Sequence, residues 1–277
     1  MASENLLKQY SWARKSWFFS STGRVSNFVP EARILDIPFL FRDKAHSRNV
    51  LDGAIGQDML TKFESKGFKA LAWGENGVRH MTNSKRAVNT PDDLKGLKMR
   101  APTRQVTKLM ASLGATPVGM PLPGIPDALS KGTIQGAVIP WEVVPSVKVH
   151  ELTKFHAEFE PAGGALYTTT FVMAMNKAKY NSLPADLKKI IDNNSGMATS
   201  AWLGKTQQAG DAAGRKSASD RNNTIFTMGV TEAQNFRRKS RAIEVEWVED
   251  MNKKGFDGKK LLEGAKALIE KHTKTTK

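Results

Sequence analysis

The chain has 277 residues, 40% of them hydrophobic and 25% charged, which supports a sizeable buried core and excludes disorder along the whole length. Lys and Arg number 42 against 27 Asp and Glu, a formal net charge of +15 that admits anionic small ligands, nucleic acid and anionic membrane surfaces as partners. Cysteine is absent, which excludes disulfides, thiolate nucleophiles and cysteine-ligated metals, and no apolar run approaches the ~20 residues that cross a bilayer.

The basic residues stand in ones and twos, as at Arg237, Arg238 and Lys239, so a solvated positive surface is a plainer reading than a nucleic-acid footprint. The first 23 residues hold no apolar core followed by a small-residue cleavage site. They do not read as a secretory signal. The expectation is a cytoplasmic chain, or one whose leader lies outside this sequence.

Taken in chain order, 34–41 is a buried apolar run broken by Pro38. Leu51, Ile55, Met59 and Phe63 recur every four residues, the mark of one amphipathic helix that Gly67 would close. Strands are predicted over 70–73 and 78–82. Thr90, Pro91, Asp93 and Gly96 carry the start and stop signals of a compact helix. A strand over 97–100 leads to a helix on Val106, Leu109, Met110 and Leu113, stopped by Gly114. Next come a strand over 116–120, a short helix over 126–131 closed by Gly132, and a strand over 133–139.

A longer strand spans 167–175. Pro184 opens a long helix with an apolar face of Leu187, Ile190, Ile191, Ala198 and Trp202. After a strand over 224–228, Thr231 and Gln234 form a capping box for a helix bearing Phe236, Ile243, Trp247 and Met251 on one face. Leu261, Leu262, Ala265, Leu268 and Ile269 define the last helix. Alternating strands and helices predict an α/β fold with mainly parallel strands, whose ligands sit beyond the carboxyl ends of strands.

No phosphate loop, dinucleotide fingerprint, HExxH or GxSxG is present. The five histidines (His46, His80, His150, His156 and His272) form no metal-ligand spacing and read as surface or capping residues. Adjacent Asp92 and Asp93 read as complements to a helix N-terminus. No catalytic pair, metal or cofactor is expected. What stands out is arginine at a strand end, because a guanidinium clamps a carboxylate through two parallel charge-assisted hydrogen bonds. On spacing alone Arg100 reads first as a surface ion-pair partner, and Trp73 and Trp141 as core aromatics.

The stretches RILDIPFLFRDKAHSRNVLDG, GVRHMTNSKRAVNTPDDLKGLKMRAP, LGATPVGMPLPGIPDALSKGTIQGAVIP and FVMAMNKAKYNSLPADLKKIID carry a resemblance. From about Gly23 onward the chain resembles the DctP family of solute-binding proteins, which serve TRAP (tripartite ATP-independent periplasmic) transporters. The resemblance implies a periplasmic, two-domain binding-protein fold with a long interdomain helix. Residues 1–77 with 168–210 would form one domain, and 78–167 with 211–277 the other. It also implies a non-enzyme that closes on an organic carboxylate and delivers it to TRAP permease subunits. Arg100 matches the arginine that pairs with the ligand carboxylate, and Arg79 a second arginine of the cleft. Leu122, Tyr167 and Phe171 fall near pocket positions, and Trp73 joins them as a candidate.

Two departures bear on these expectations. Many members have Asn before the proline of the QGAVIPWEVVP stretch, where this chain has Ile139, followed by Pro140 and Trp141. A polar anchor is lost and apolar surface gained, so the expected ligand is an aromatic or branched monocarboxylate or 2-oxo acid; alternatively, Trp141 only packs under the cleft. Residues 1–21 do not resemble the family, so the first βαβ of the first domain is expected to be missing, with sheet edges left unpaired. A small α/β enzyme holding an anionic substrate with Arg79 and Arg100 is the alternative function. Nucleic-acid binding rests on charge alone and is not expected.

Overall fold

The computed structural model describes residues 16–51, 53–76 and 78–274. Strand β1 (Trp17–Ser21) runs into a one-turn helix α1 (Thr22–Val25) and a 3-10 turn over Pro30–Asp36. Helices α2 (Lys44–Leu51) and α3 (Ala54–Glu64) precede β2 (Phe68–Asn76) and β3 (Arg79–Asn83). Then come β4 (Lys98–Ala101), α4 (Arg104–Ser112), β5 (Thr116–Gly119), α5 (Ile125–Ser130), β6 (Gly136–Pro140), α6 (Val149–Leu152) and β7 (Phe155–Phe159). The chain closes with β8 (Thr169–Asn176), α7 (Lys177–Asn181), α8 (Ala185–Asn193), α9 (Met197–Ser219), β9 (Thr224–Met228), α10 (Val230–Asn252) and α11 (Gly258–Lys274).

These strands form two sheets, one ordered β1-β8-β2 and one ordered β5-β4-β6-β3-β7-β9. The α/β expectation holds; the mainly parallel one does not. The smaller sheet is antiparallel throughout, and β3 pairs antiparallel with β6 and β7, leaving only β4 with β5 and β6, and β7 with β9, parallel. The reason is that the chain passes between sheets repeatedly, the third time through α9 into β9. It leaves the small sheet from β2 into β3 and returns through Tyr167 into β8, and these first two passes are tied by the Arg79 N–H donating to the Tyr167 carbonyl at 3.2 Å. A strand entering the larger sheet this way runs against its neighbours.

Burial follows the predicted stripes in most elements. Val106, Leu109, Met110 and Leu113 are buried together, and Phe236, Ile243, Trp247 and Met251 on α10 are each buried. One cluster gathers Phe18, Phe28, Phe63, Phe68 and Trp73 under the small sheet, joined by Trp247, Met251, Leu262 and Ile269. A second lies against the larger sheet around Met81, Met99, Leu109 and Phe236. Helix α10 therefore contributes its start to one core and its end to the other. Helix α9 also touches both regions: Ser200 Oγ accepts from the Trp73 N–H at 2.9 Å, and Ala218 packs in a third cluster with Ile139 and Trp141.

Several local expectations are corrected. The stripe from Leu51 to Phe63 belongs to two helices, α2 and α3, and the side chain of Ile55 lies outside the described residues, as does that of Leu268. The helix predicted from Pro184 is two helices, because Gly196 at φ +84° takes a left-handed backbone that interrupts the ladder. Its apolar face is not a core face: Leu187, Ile190 and Trp202 are 43%, 57% and 63% exposed. On α10 the cap is two residues earlier than predicted, with Glu232 Oε2 accepting from the Gly229 N–H at 3.1 Å. The expectation for residues 1–21 also fails in part: Trp17–Ser21 pairs with β8 over five residues, so β8 is paired on both sides. Residues 1–15 lie outside the described residues.

Candidate functional site

Arg79 is the first residue of β3, immediately after the first pass between sheets, and Arg100 is the third residue of β4. Both side chains are buried, at 6% and 5% exposure, which overturns the surface ion-pair reading of Arg100. Arg79 Nε donates to Thr169 Oγ1 at 3.3 Å, and its guanidinium lies 6.0 Å from the centre of the Tyr167 ring. Arg100 Nε donates to the Met120 carbonyl at 3.1 Å and Nη1 to the Val138 carbonyl at 3.3 Å. These bonds fix each guanidinium while leaving N–H groups for a ligand.

Both arginines, with the more exposed Arg24 of α1, line one cavity of about 220 Å³. Among the described residues none of the three forms an ion pair with a carboxylate. Burial, with like charge from Arg79 and Arg24, pulls the Arg100 guanidinium down to about 10, partly offset by Tyr167. It stays charged at neutral pH. A buried cation without a counter-ion is costly, and an entering carboxylate removes that cost.

Much of the remaining lining is apolar. Phe19 of β1 and Phe171 of β8 stack with ring centres 4.9 Å apart and 9° between planes, and Leu122, Val143 and Pro121 add to this lining. Strand alternation explains Phe19: Phe18 turns inward to meet Phe68 edge-on at 5.3 Å, so its neighbour faces the other way. Gly74 makes room for it, since a Cβ there would lie 2.4 Å from Phe19 Cζ. A larger apolar groove of about 390 Å³ lies among Ile34, Met59, Trp247 and Leu261, but no arginine lines it.

Of the residues expected at the site, Arg79, Arg100, Leu122 and Phe171 meet at this cavity. Tyr167 lies beneath it, 1% exposed, with a hydroxyl that burial pushes up to about 12. Four others lie elsewhere. Trp141 stacks on His80 at 3.7 Å and donates from Nε1 to Glu158 Oε2 at 2.8 Å. It packs on the face of β3 opposite Arg79, because adjacent strand residues point to opposite faces. Ile139 is fully buried in the same cluster, and Pro140 pairs with Arg79 through register alone. Trp73 is buried in the first core and donates from Nε1 to the Gly56 carbonyl at 3.1 Å.

The histidine expectation is corrected as well. His46, His80 and His156 are buried, and His80 Nε2 lies 3.2 Å from His156 Nδ1. Burial, chiefly, holds both of the latter below the usual imidazole range, His156 at about 4. Sequence reading missed Phe19, Arg24 and Thr169. The alternating exposure of a Trp17–Phe18–Phe19 run was the available signal, and it lay in the segment set aside as unlike the family.

Comparison with known proteins agrees with this geometry. The model for bacterial extracellular solute-binding protein, family 7 (DctP), matches residues 15–250, so the match begins before the Gly23 expected from the sequence. A TRAP solute-binding protein from Rhodoferax ferrireducens T118, solved with copurified benzoate, is 51% identical with a TM-score of 0.86, over 99% of this chain and 85% of that one. A marine metagenome TRAP solute-binding protein specific for aromatic acid ligands, solved with 3-hydroxybenzoate, is 34% identical with a TM-score of 0.84, over 97% of this chain and 83% of that one. A solute-binding protein of Verminephrobacter eiseniae is 49% identical over 63% of this chain, and the match spans only 51% of that relative's length. Matching over most of its length a family of solute-binding proteins rather than enzymes, the chain belongs to the bacterial extracellular solute-binding proteins of family 7.

Proposed function

We propose that this chain captures an aromatic monocarboxylate between its two sheets and delivers it to the membrane subunits of a TRAP-type transporter. The observation that carries the reading is the convergence of three guanidinium groups without carboxylate ion pairs on a cavity also lined by a stacked pair of phenylalanines. The arginines would take the ligand carboxylate, Arg100 as the deepest clamp and Arg79 beside it. The Phe19–Phe171 pair would take the ring. Benzoate and 3-hydroxybenzoate in the two similar structures support the aromatic class. The family's extracellular description supports a periplasmic site of action.

The proposal includes two lobes, 1–77 with 168–210 and 78–167 with 211–277, closing on the ligand. The end of the second range packs with the first lobe, because Phe236 lies in the larger-sheet cluster but Trp247, Met251, Leu262 and Ile269 pack with the small sheet, so the chain returns within α10. Closure would exclude water from the arginines and strengthen their hold on the anion.

A thermal melt against a panel of carboxylates tests the reading. Benzoate and 3-hydroxybenzoate at a hundred times their dissociation constants should stabilise the chain by roughly 2.7 kcal/mol, a shift of several degrees. Glucuronate and succinate should shift it less. A sugar acid or dicarboxylate giving the largest shift would overturn the aromatic class, and no shift with any acid would overturn carboxylate capture.

A further inference from the structure

Asp36 is a buried carboxylate lining a small void next to the arginine cavity, and the function just described leaves it unused. It ends the Pro30–Asp36 turn and is 2% exposed. Oδ1 accepts from Thr22 Oγ1 at 3.2 Å, while the buried Oδ2 has no hydrogen-bond partner. Thr22 Oγ1 also lies 3.2 Å from the Thr170 carbonyl, and one hydroxyl proton cannot serve both acceptors. An ionised Asp36 is thus under-satisfied on both oxygens. A protonated one would donate to Thr22, freeing the Thr22 proton for Thr170.

The position ties this group to the anion site. Thr22 follows Ser21 and Thr170 follows Thr169, and both Ser21 and Thr169 line the arginine cavity. Thr103 lines that cavity and also the small void of about 20 Å³ that Asp36 lines. Asp36 Oδ2 and Thr103 Cγ2 meet at Gly23, 2.6 and 2.9 Å from where a Cβ would stand. The charged groups around it are Arg33 on its own turn, Arg79 on β3, Arg104 and Lys108 on α4, and Asp250 on α10, and Asp36 in turn acts on the Tyr167 hydroxyl. Arg33 already faces Asp250 at 3.9 Å, and Lys108 is held by Glu246. Arg79 acts on Asp36 through its charge, without an ion pair between them, and also lines the ligand cavity.

We propose that Asp36 is a positioning residue that makes anion capture proton-linked: ionised, its buried charge opposes entry of the ligand carboxylate beside Arg79, and on binding it takes up a proton. The balance is simple, since one anion and up to one proton enter together and no covalent bond to the ligand forms. Burial supports this by pushing the Asp36 carboxyl up to about 7, against the pull of the Thr22 hydroxyl and of Arg79 and Arg33. A second negative charge beside Arg79 pushes it further. By linkage, whatever raises proton affinity on binding makes binding tighter as pH falls. Benzoate, whose own carboxyl titrates near the usual carboxylate range of ~4, stays ionised throughout.

The inference rests on the carboxylate-capture reading, and its test separates the two. The midpoint of the Asp36 carboxyl is read in the ligand-free protein by ¹³C NMR of Asp-labelled chain, with Asp36→Asn assigning the signal. The expected midpoint is near pH 7. Protons taken up per benzoate are then counted at pH 8 by calorimetry in two buffers of different ionisation heat, with glucuronate as the probe if benzoate gives no heat. The expected count approaches one in the wild type and falls to zero in Asp36→Asn. The dissociation constant should weaken by up to about tenfold per pH unit above 7 in the wild type, and stay flat in Asp36→Asn. A merely structural Asp36 would move affinity without moving the proton count. A midpoint below pH 5, or a wild-type count near zero with a bound carboxylate, overturns the proposal, and the wild-type count does not require the variant to fold. If neither probe binds, the capture reading fails on its own, and the midpoint still decides whether Asp36 holds the proton.

Discussion

Phe19 and Phe171 stack nearly parallel across the β1–β8 ladder, 4.9 Å between centres, in the lining of the cavity they share with the arginines. They are diagonal neighbours, since Ser21 rather than Phe19 is the direct partner of Phe171. Diagonal aromatic pairs reach each other in this way, and such pairs contribute about 0.5–1.5 kcal/mol beyond the area they bury.

Phe19→Ala should therefore weaken an aromatic acid more than a branched aliphatic one. Gly74→Val should act in the same direction by displacing the Phe19 ring, because no Cβ fits at 2.4 Å from Cζ. Calorimetry with benzoate and 3-methyl-2-oxobutanoate checks both variants. Equal losses for the two acids would remove Phe19 from ligand recognition.

Trp141 should behave as a core residue. Its ring is sealed against His80, and its N–H is bound to Glu158. Trp141→Ala is expected to cost about 3–5 kcal/mol of stability, the usual range for deleting a buried large aromatic. The ratio of benzoate to aliphatic-acid affinity should stay within about twofold, on the order of 0.4 kcal/mol. Denaturant melts and paired titrations measure the two effects separately. A changed ratio in a normally stable protein would return Trp141 to the cleft.

The buried His80–His156 pair predicts an acid limb to stability. Both imidazoles are held neutral in the fold, and His156 titrates at about 4, whereas an unfolded histidine titrates near 6.5. Between those values the unfolded chain binds more protons, so stability present above pH 6.5 is lost as pH falls toward 4. His156→Gln should flatten that part of the curve. Melting temperatures from pH 4 to 8 would show it, and an unchanged slope would mean the pair is not the source.

Much of this fold was legible in the sequence because punctuation and periodicity agreed. Gly114 and Gly132 stop α4 and α5 where expected, and the Val106–Leu113 stripe is core. What misled was tertiary. Leu187, Ile190 and Trp202 have the spacing of a buried face but lie open, since periodicity reports amphipathicity and not what covers it. Parallel and antiparallel pairing was hidden because the passes between sheets at Arg79 and Tyr167 leave no local mark.

Within the candidate site, Arg100 and Arg79 were visible through the family-like GLKMR and GVRHM stretches. Trp141 was drawn to the cleft by proximity to Pro140 in sequence, but strand alternation sends it to the other face. Phe19 was missed because its meaning comes from a partner 152 positions away on β8. Asp36 was passed over inside an apolar run, where only burial and a missing hydrogen bond reveal it.

Titration of benzoate into wild-type protein and Arg100→Ala, with melts of both, tests carboxylate capture most directly. Removing a clamp from a desolvated ion pair is expected to cost at least ~2 kcal/mol, about a thirtyfold weaker dissociation constant, while the variant still melts cooperatively. Benzoate binding with the same dissociation constant in both proteins would contradict the assignment of this arginine cavity as the site.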